Sequence, residues 1–517
     1  METENALRPV HPEGELDLAR EATATGSLQV DTFGGRVHVV WDDSASVTAM
    51  GHLVFFAEFL RTANLFDPFV EECPLAYRSN NAPKVRDVLG TILLSVLSGH
   101  RRYAHVTALR GDAVNPALLG MSKVVSEDSV RRAFKNADGE ACAAWLRDHL
   151  LRTVRPLLAV PWVLDIDSTV KQLYGRQEGA VAGYNPEKPG RPSHVHHTYI
   201  MAGTRLVLDA EVESGNHSHA LYGTKGLWRL IEGLSPEERP HLLRGDCDYG
   251  NERLMTGAEE RGVDYLFKLR QSMNVKNFVA RRWNESEWRD AGQGWEAVEG
   301  ELQLMGWKRK RRTIILRRAM KRPLVRETKN ERGQMLLEFG PDIERDEVYE
   351  YAVLVTSLPL GLFEIAQLYR DRADVENVFD ELKNQWGWSG FATRDLSRCR
   401  TMARMVALFY NWWSLFARLA MPDKHAEAIT SRPMLLHGVG RQTESGRQKS
   451  LTISTPHARV GRIVQIMCAG NRFLQTIRQN AEQLTDADRW RAILSKIFEK
   501  ILHGRPLPRP KPRLSTA

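Results

Sequence analysis

The spacing of apolar residues changes at Pro161, and that change organises the chain. Upstream, from about Val47 to Leu150, apolar residues recur at helical intervals. Phe55, Leu60, Leu65 and Phe69 mark one amphipathic stretch, and Val85 to Leu97 a second that is apolar nearly all round and therefore buried. Ser126-Glu127-Asp128-Ser129 is an N-cap signal opening a third, short helix that carries Arg131, Arg132 and Lys135. It follows a turn near Gly120, the setting of a helix-turn-helix reader, although a purely helical packing domain has the same pattern. Residues 1–35 are polar and rich in Gly and Thr, so the spacing predicts a loose arm over 1–46 and a helical DNA-binding domain over 47–155.

Downstream of Pro161 the pattern shortens. Trp162 to Asp167 reads as a buried strand, His197 to Met201 and Arg205 to Val212 as two more, then a helix from about Leu221 to Gly233. His241 to Asp246 is a fourth strand, Asn251 to Gly262 a helix, and Val263 to Leu269 a fifth strand. The order β-β-β-α-β-α-β is that of the ribonuclease H fold, a mixed sheet flanked by helices. The expected architecture is therefore α/β, with a ribonuclease H-like core over 156–420. Residues 271–348 interrupt it with Trp283, Trp288, Trp295 and Trp307 and strand-like runs at Glu301–Met305 and Thr313–Leu316, which predicts a mostly β insertion. One of these tryptophans is a candidate to hold a flipped base. Tyr351–Thr356 is a further strand, Met402–Leu419 an apolar core helix, and 421–517 a helical region ending in a basic tail.

Charge adds a partner class. The chain carries +8 at pH 7, with a pI near 9.2, a moderate excess that favours a polyanion. Basic residues cluster at Lys308–Arg312 and in the Pro-rich tail with Arg505, Arg509, Lys511 and Arg513. Five scattered cysteines without a CxxC pair give neither a disulfide framework nor a structural zinc site, which fits a reducing cytosol. His194, His196, His197, His217 and His219 invite a zinc reading, but no cysteine or acid pattern accompanies them. No basic-then-apolar leader opens the chain, and no apolar run is long enough to span a membrane.

The candidate chemistry lies in carboxylates at costly places. Asp167 is on the first strand, Asp246 ends the fourth, and Glu376 is on a late helix. Acids in apolar strands are expensive unless paired or bound to a cation. In this strand order the first and fourth strands are neighbours, so two aspartates would meet and repel without one. Asp165 competes with Asp167, and Asp248 with Asp246, because each pair points to one side of the chain. Three hard oxygen ligands suit Mg²⁺ or Mn²⁺, and two such ions serve in-line phosphoryl transfer. Tyr369, Arg372, Glu376 and Lys383 are spaced Y-x2-R-x3-E-x6-K, which on a continuous helix places them within an arc of roughly 60°.

These residues carry a resemblance. Asp165-Ile166-Asp167-Ser168-Thr169, Gly175-x-Gln177-Glu178-Gly179-Ala180, Gly183-Tyr184-Asn185-Pro186, Gly190-Arg191, Arg244-Gly245-Asp246 with Tyr249-Gly250, and the Tyr369/Arg372/Glu376/Lys383 set are similar to DDE transposases of bacterial insertion sequences. The group is the one with the Tyr-Arg-Glu-Lys helix signature, the insertion-sequence-four superfamily, and within it the insertion-sequence 1380 branch. The resemblance spans about 155–420 and is looser over 47–150. It implies Asp167, Asp246 and Glu376 as the catalytic, metal-holding acids, with two Mg²⁺ or Mn²⁺ ions. Asp248 stands where the family has a small residue. The resemblance also implies binding of terminal inverted repeats and target DNA, cleavage and strand transfer, and a homodimer on DNA. Tyr369, Arg372 and Lys383 are expected to hold phosphates, and Arg131, Arg132 and Lys135 to touch DNA. The expected location is the cytoplasm, on the nucleoid. Two other readings are an inactive DNA-binding relative and a nuclease of the same fold that does not join strands.

Overall fold

The computed structural model describes residues 28–509 apart from 43, 78, 80, 186, 187, 218, 286, 321–325, 330–334, 339–348, 389, 481 and 482. Strands β1 (Leu28–Thr32) and β2 (Gly35–Val39) form an exposed antiparallel hairpin inside the segment expected to be a loose arm. Its alternation of Leu28, Val30, Val37 and Val39 with polar neighbours is a period-two signal too short to stand out. Residues 1–27 lie outside the described residues. Strand β3 (Ser46–Thr48) leads into helices Leu53–Thr62 and Phe66–Glu71. These two replace the single expected stretch, because Asn64 turns left-handed between them (φ 50°).

A ten-stranded mixed sheet follows. Its strands are β4 (Val163–Gln172), β5 (Val181–Ala182), β6 (Pro192–Met201), β7 (Leu206–Ser214), β8 (Leu242–Gly245), β9 (Asp264–Lys268), β10 (Arg289–Gly292), β11 (Trp295–Leu302), β12 (Arg311–Ala319) and, after the short pair β13 (Arg326–Lys329) and β14 (Met335–Glu338), β15 (Tyr349–Thr356). β6 pairs antiparallel with β4 and β7, while β4, β8 and β9 run parallel. β15 then pairs antiparallel with β9 and carries β12, β11 and β10 beyond it. The insertion is therefore not a separate β unit, since β10–β12 continue the main sheet. It also opens with a helix, Met273–Glu285, where a mostly β segment is expected.

The helical halves share one core with the sheet. The Leu396–Ala420 helix is buried over nearly its whole surface. Phe56 packs edge-on against Trp413 and Phe416, both at 5.3 Å. Phe69 stacks on Trp145 at 4.6 Å and meets Trp412 at 5.4 Å. From the other end of the chain, Trp490 of the Asp486–Ile497 helix reaches Phe59 at 6.1 Å. The change of texture near residue 155 is thus not a break in the core.

The C-terminal region is not wholly helical. Strands β16 (Val439–Ser445) and β17 (Gln448–Ser454) form a hairpin, and β3 pairs with the base of β16. The Thr, Ser and Gln of this hairpin give it little apolar alternation, so sequence pattern reads it as loop. Helix Val460–Gln479 follows it and packs on Leu53–Thr62.

Candidate active site

The two expected strand acids are brought together by register. β4 alternates Leu164 and Ile166, fully buried on one face, with Asp165 and Asp167 on the other. β8 lies alongside in parallel, with Asp165 opposite Arg244 and Ile166 opposite Gly245. Asp246 directly follows β8, so it continues the register beside Asp167. Gly245 is required by close approach, because a Cβ there would meet Cβ of Tyr249 at 2.9 Å. This explains why a glycine sits between Arg244 and Asp246, with a buried tyrosine four residues on.

Asp165 and Asp167 have different partners. Asp165 is spent on Arg244, whose Nε and Nη2 donate to its two oxygens at 2.7 Å each, both side chains being almost wholly buried. Arg244 Nη1 also donates to the carbonyl of Leu368, tying the last turn of helix Leu362–Arg370 to the strand pair. Asp167 accepts from Arg372 Nη2 at 2.6 Å and from the Ser168 backbone N–H at 2.7 Å. Burial, together with the charges of Asp246 and Glu376 and against the pull of Arg372, pushes its carboxyl up to about 6. Both other acids thus act on Asp167. Arg270 takes Asp248, the rival of Asp246, in an ion pair, while the Asp248 N–H donates to Asp246 Oδ1 at 3.0 Å.

The four signature residues do not lie on one unbroken helix. Tyr369 is on Leu362–Arg370, Arg372 is in a 3-10 turn at Asp371–Ala373, and Glu376 and Lys383 are on Asp374–Gln385. The tightened turn re-aims Arg372 inward, where it is buried against Asp167, while Glu376 stays exposed. The second helix is fixed at its start by Arg205, whose Nε donates to both Asp374 oxygens at 2.9 and 3.0 Å. Further along, buried Glu381 accepts from Trp386 Nε1 at 3.2 Å and the Ala428 N–H at 3.0 Å, and lies 2.7 Å from His425 Nε2. Val375, Val378, Phe379 and Leu382 face the core. Tyr369 feels Arg372, Asp246 and Asp167, and burial raises its hydroxyl to about 12. Lys383 lies farther along, where its charge, after burial, helps depress the pKa of His196.

Other candidates are placed as follows. Ser126 caps Glu127–Ala133 by accepting from the Ser129 N–H at 3.3 Å, and Arg131 and Arg132 both pair with exposed Asp128. Lys135 is exposed. The Arg guanidinium groups of the insertion cover its tryptophans: Arg317 over Trp288 at 3.9 Å, Arg318 over Trp295 at 4.8 Å and Arg311 over Trp307 at 5.5 Å. One face of each ring is therefore already occupied. The side chains of Trp283 and His219 lie outside the described residues. His194 and His196 lie on one face of β6 and His197 on the other, and no histidine joins a metal-binding cluster among the described residues. Arg244 is the residue whose role sequence reasoning missed; its signal was an arginine inside an apolar strand. A cleft of about 520 Å³ opens beside Asp246, lined by Cys247, Asn251, Arg253, Arg270 and Ser272 among others.

Residues 159–412 match the family model of the transposase DDE domain, and the site described above falls within the matched residues. No curated protein matches the chain in sequence. Among solved structures it is similar to the cryo-EM structure of the piggyBac transposase synaptic complex with hairpin DNA, at 12% identity and a TM-score of 0.37. That alignment covers 91% of this chain and 87% of that one. Among the described residues no helix is long and apolar enough to cross a membrane.

Proposed function

We propose that this protein is a cut-and-paste transposase of the Tyr-Arg-Glu-Lys signature group, with a ribonuclease H-like core. On this reading it binds the terminal inverted repeats of an insertion sequence, cuts them and joins the 3′ ends to target DNA. The observation that supports the reading is the parallel register of β4 and β8, which sets Asp246, just past the end of β8, beside Asp167 on β4.

The donor set fits divalent ions. Burial and the like charges of Asp246 and Glu376 push Asp167 up to about 6, against Arg372 and the Ser168 N–H, which both donate to it. All three offer hard oxygens, as Mg²⁺ and Mn²⁺ require. Bound there, such ions supply charge stabilisation and an activated oxygen nucleophile. The protein's own groups do the rest. Arg372 holds Asp167 in place and offers its remaining guanidinium N–H groups to a phosphate. Tyr369 keeps its proton and donates. Lys383 holds a phosphate farther along the strand as a point charge. Arg253 and Arg270 line the cleft beside Asp246, giving the strand a path away from the scissile bond. Joining two ends needs two active sites, which supports a homodimer on DNA, working on the nucleoid in the cytoplasm.

The test uses the full chain, Mg²⁺ and a duplex carrying the element's end. Wild type should nick the end and transfer its 3′ strand. Glu376→Gln should bind the duplex yet do neither. Cleavage without joining would leave a nuclease, and full activity of Glu376→Gln would remove the acid from the site.

A further inference from the structure

We infer that the β16–β17 hairpin is a second DNA-contacting element, a ribbon that lies against duplex DNA away from the acid site. It rests on the transposase reading only for the choice of DNA as the polyanion.

The first observation is where free positive charge lies. The Lys308–Arg312 run, the densest basic stretch of the sequence, is largely neutralised. Arg311 is buried and pairs with Glu252 and Glu259, Arg309 reaches Glu259 at 2.8 Å, and Arg312 reaches Glu299 at 2.7 Å. Residues 436–479 differ, holding seven Lys and Arg against the single acid Glu444. Arg478 is used on Glu58 at 2.7 Å, and Lys449 stands 4.0 Å from Glu444. Arg441, Arg447, Arg459, Arg462 and Arg472 are exposed and make no salt bridge among the described residues. Arg441 and Arg462 act on Asp42 and Asp423 at longer range.

The second observation is the chemistry of one ribbon face. Opposite pairs in the ladder are Arg441 with Thr452, Thr443 with Ser450 and Ser445 with Gln448. Directly paired residues share a face. All six are exposed, all carry hydrogen-bonding groups, and none is acidic or apolar. The opposite face, with Gly440 buried and Leu451 and Ile453 half-buried, turns to the protein.

The third is shape. β3 pairs only with Gly440 to Gln442, so Thr443–Ser450 projects as a two-stranded ribbon. Gly446 (φ 61°) starts the two-residue turn and sets exposed Arg447 at the tip. Each strand spans about 24 Å at ~3.4 Å per residue. A B-DNA major groove, about 12 Å wide, admits such a ribbon, whereas the deep, narrow groove of A-form RNA does not. Ser, Thr and Gln contact phosphates and base edges, and the arginines add charge.

The experiment is binding of the full chain to duplex DNA without metal across a salt series, with thermal melting as the folding control. Arg441→Ala/Arg447→Ala should weaken binding about 10-fold and flatten the salt slope by about 2, at ~0.9 per phosphate contact. Thr443→Val/Ser450→Val keeps strand-forming residues, and should weaken binding several-fold with the wild-type slope. Wild-type affinity and slope in both variants would overturn the inference. So would double-stranded RNA displacing the DNA at equal concentration. If wild type binds as expected yet never cleaves with Mg²⁺, the catalytic reading fails and the ribbon stands.

Discussion

Arg244 and Asp165 stand directly opposite on two parallel strands, joined by two hydrogen bonds of 2.7 Å in a nearly water-free setting. Removing one partner leaves a buried charge, whereas removing both leaves a gap. Arg244→Ala should therefore cost roughly 3–5 kcal/mol. Asp165→Ala/Arg244→Ala should cost less than the two single changes combined. Urea unfolding of the three variants decides this, and a loss of under ~1 kcal/mol in Arg244→Ala would show that the pair is solvated.

Asp167 links stability to pH. In the metal-free protein its carboxyl sits at about 6, raised from 3.8 mainly by burial. A raised value means the protonated form is favoured on folding. The benefit is full below pH ~4 and is lost as pH rises through about 6, some 3 kcal/mol at ~1.36 per unit. Asp167→Asn should lack this part of the melting profile, and Mg²⁺ should raise the melting point of wild type but not of the variant above pH ~6. Superimposable profiles would refute it.

Arg372 and Lys383 differ in what replacement does. Arg372→Lys keeps charge but loses the fork that reaches Asp167, so end cleavage should fall at least ~10-fold. Lys383→Ala should weaken end binding and lower the salt slope by about 1. A wild-type slope in Lys383→Ala with a reduced melting point would make that lysine structural.

The helical segment is part of the common core. A chain lacking residues 1–150 would uncover Phe409, Trp412, Trp413 and Phe416, which meet Phe56 and Phe69. It should fail to fold, and Phe69→Ala in the full chain should cost about 3–5 kcal/mol. A soluble, cooperatively melting shortened chain would prove the two parts independent.

The sheet core was legible because its strands are short apolar runs punctuated by Pro, Gly and acids. Val163–Gln172, Leu206–Ser214, Leu242–Gly245 and Asp264–Lys268 fall where the pattern puts them. The neighbourhood of Asp167 and Asp246 followed from strand order. Spacing alone did not distinguish Asp165 from Asp167, since both face one side. What separates them is the partner across the strand gap, which pattern cannot show. The 3-10 turn at Asp371–Ala373 was hidden because a helical repeat reads the same through one tightened turn. The β16–β17 hairpin was hidden because strands facing solvent carry little apolar signal.

The chain leaves β9 after Lys268 and comes back antiparallel beside it on β15, with Leu354 opposite Lys268. Everything over residues 269–353 is thus, topologically, the loop of one enormous hairpin. Its length is free to change by whole hairpins without shifting β15 against β9. Relatives that shed or enlarge this excursion need not renegotiate the backbone that aligns the acids, so evolution can retool whatever the excursion touches at little cost to the chemistry beneath it.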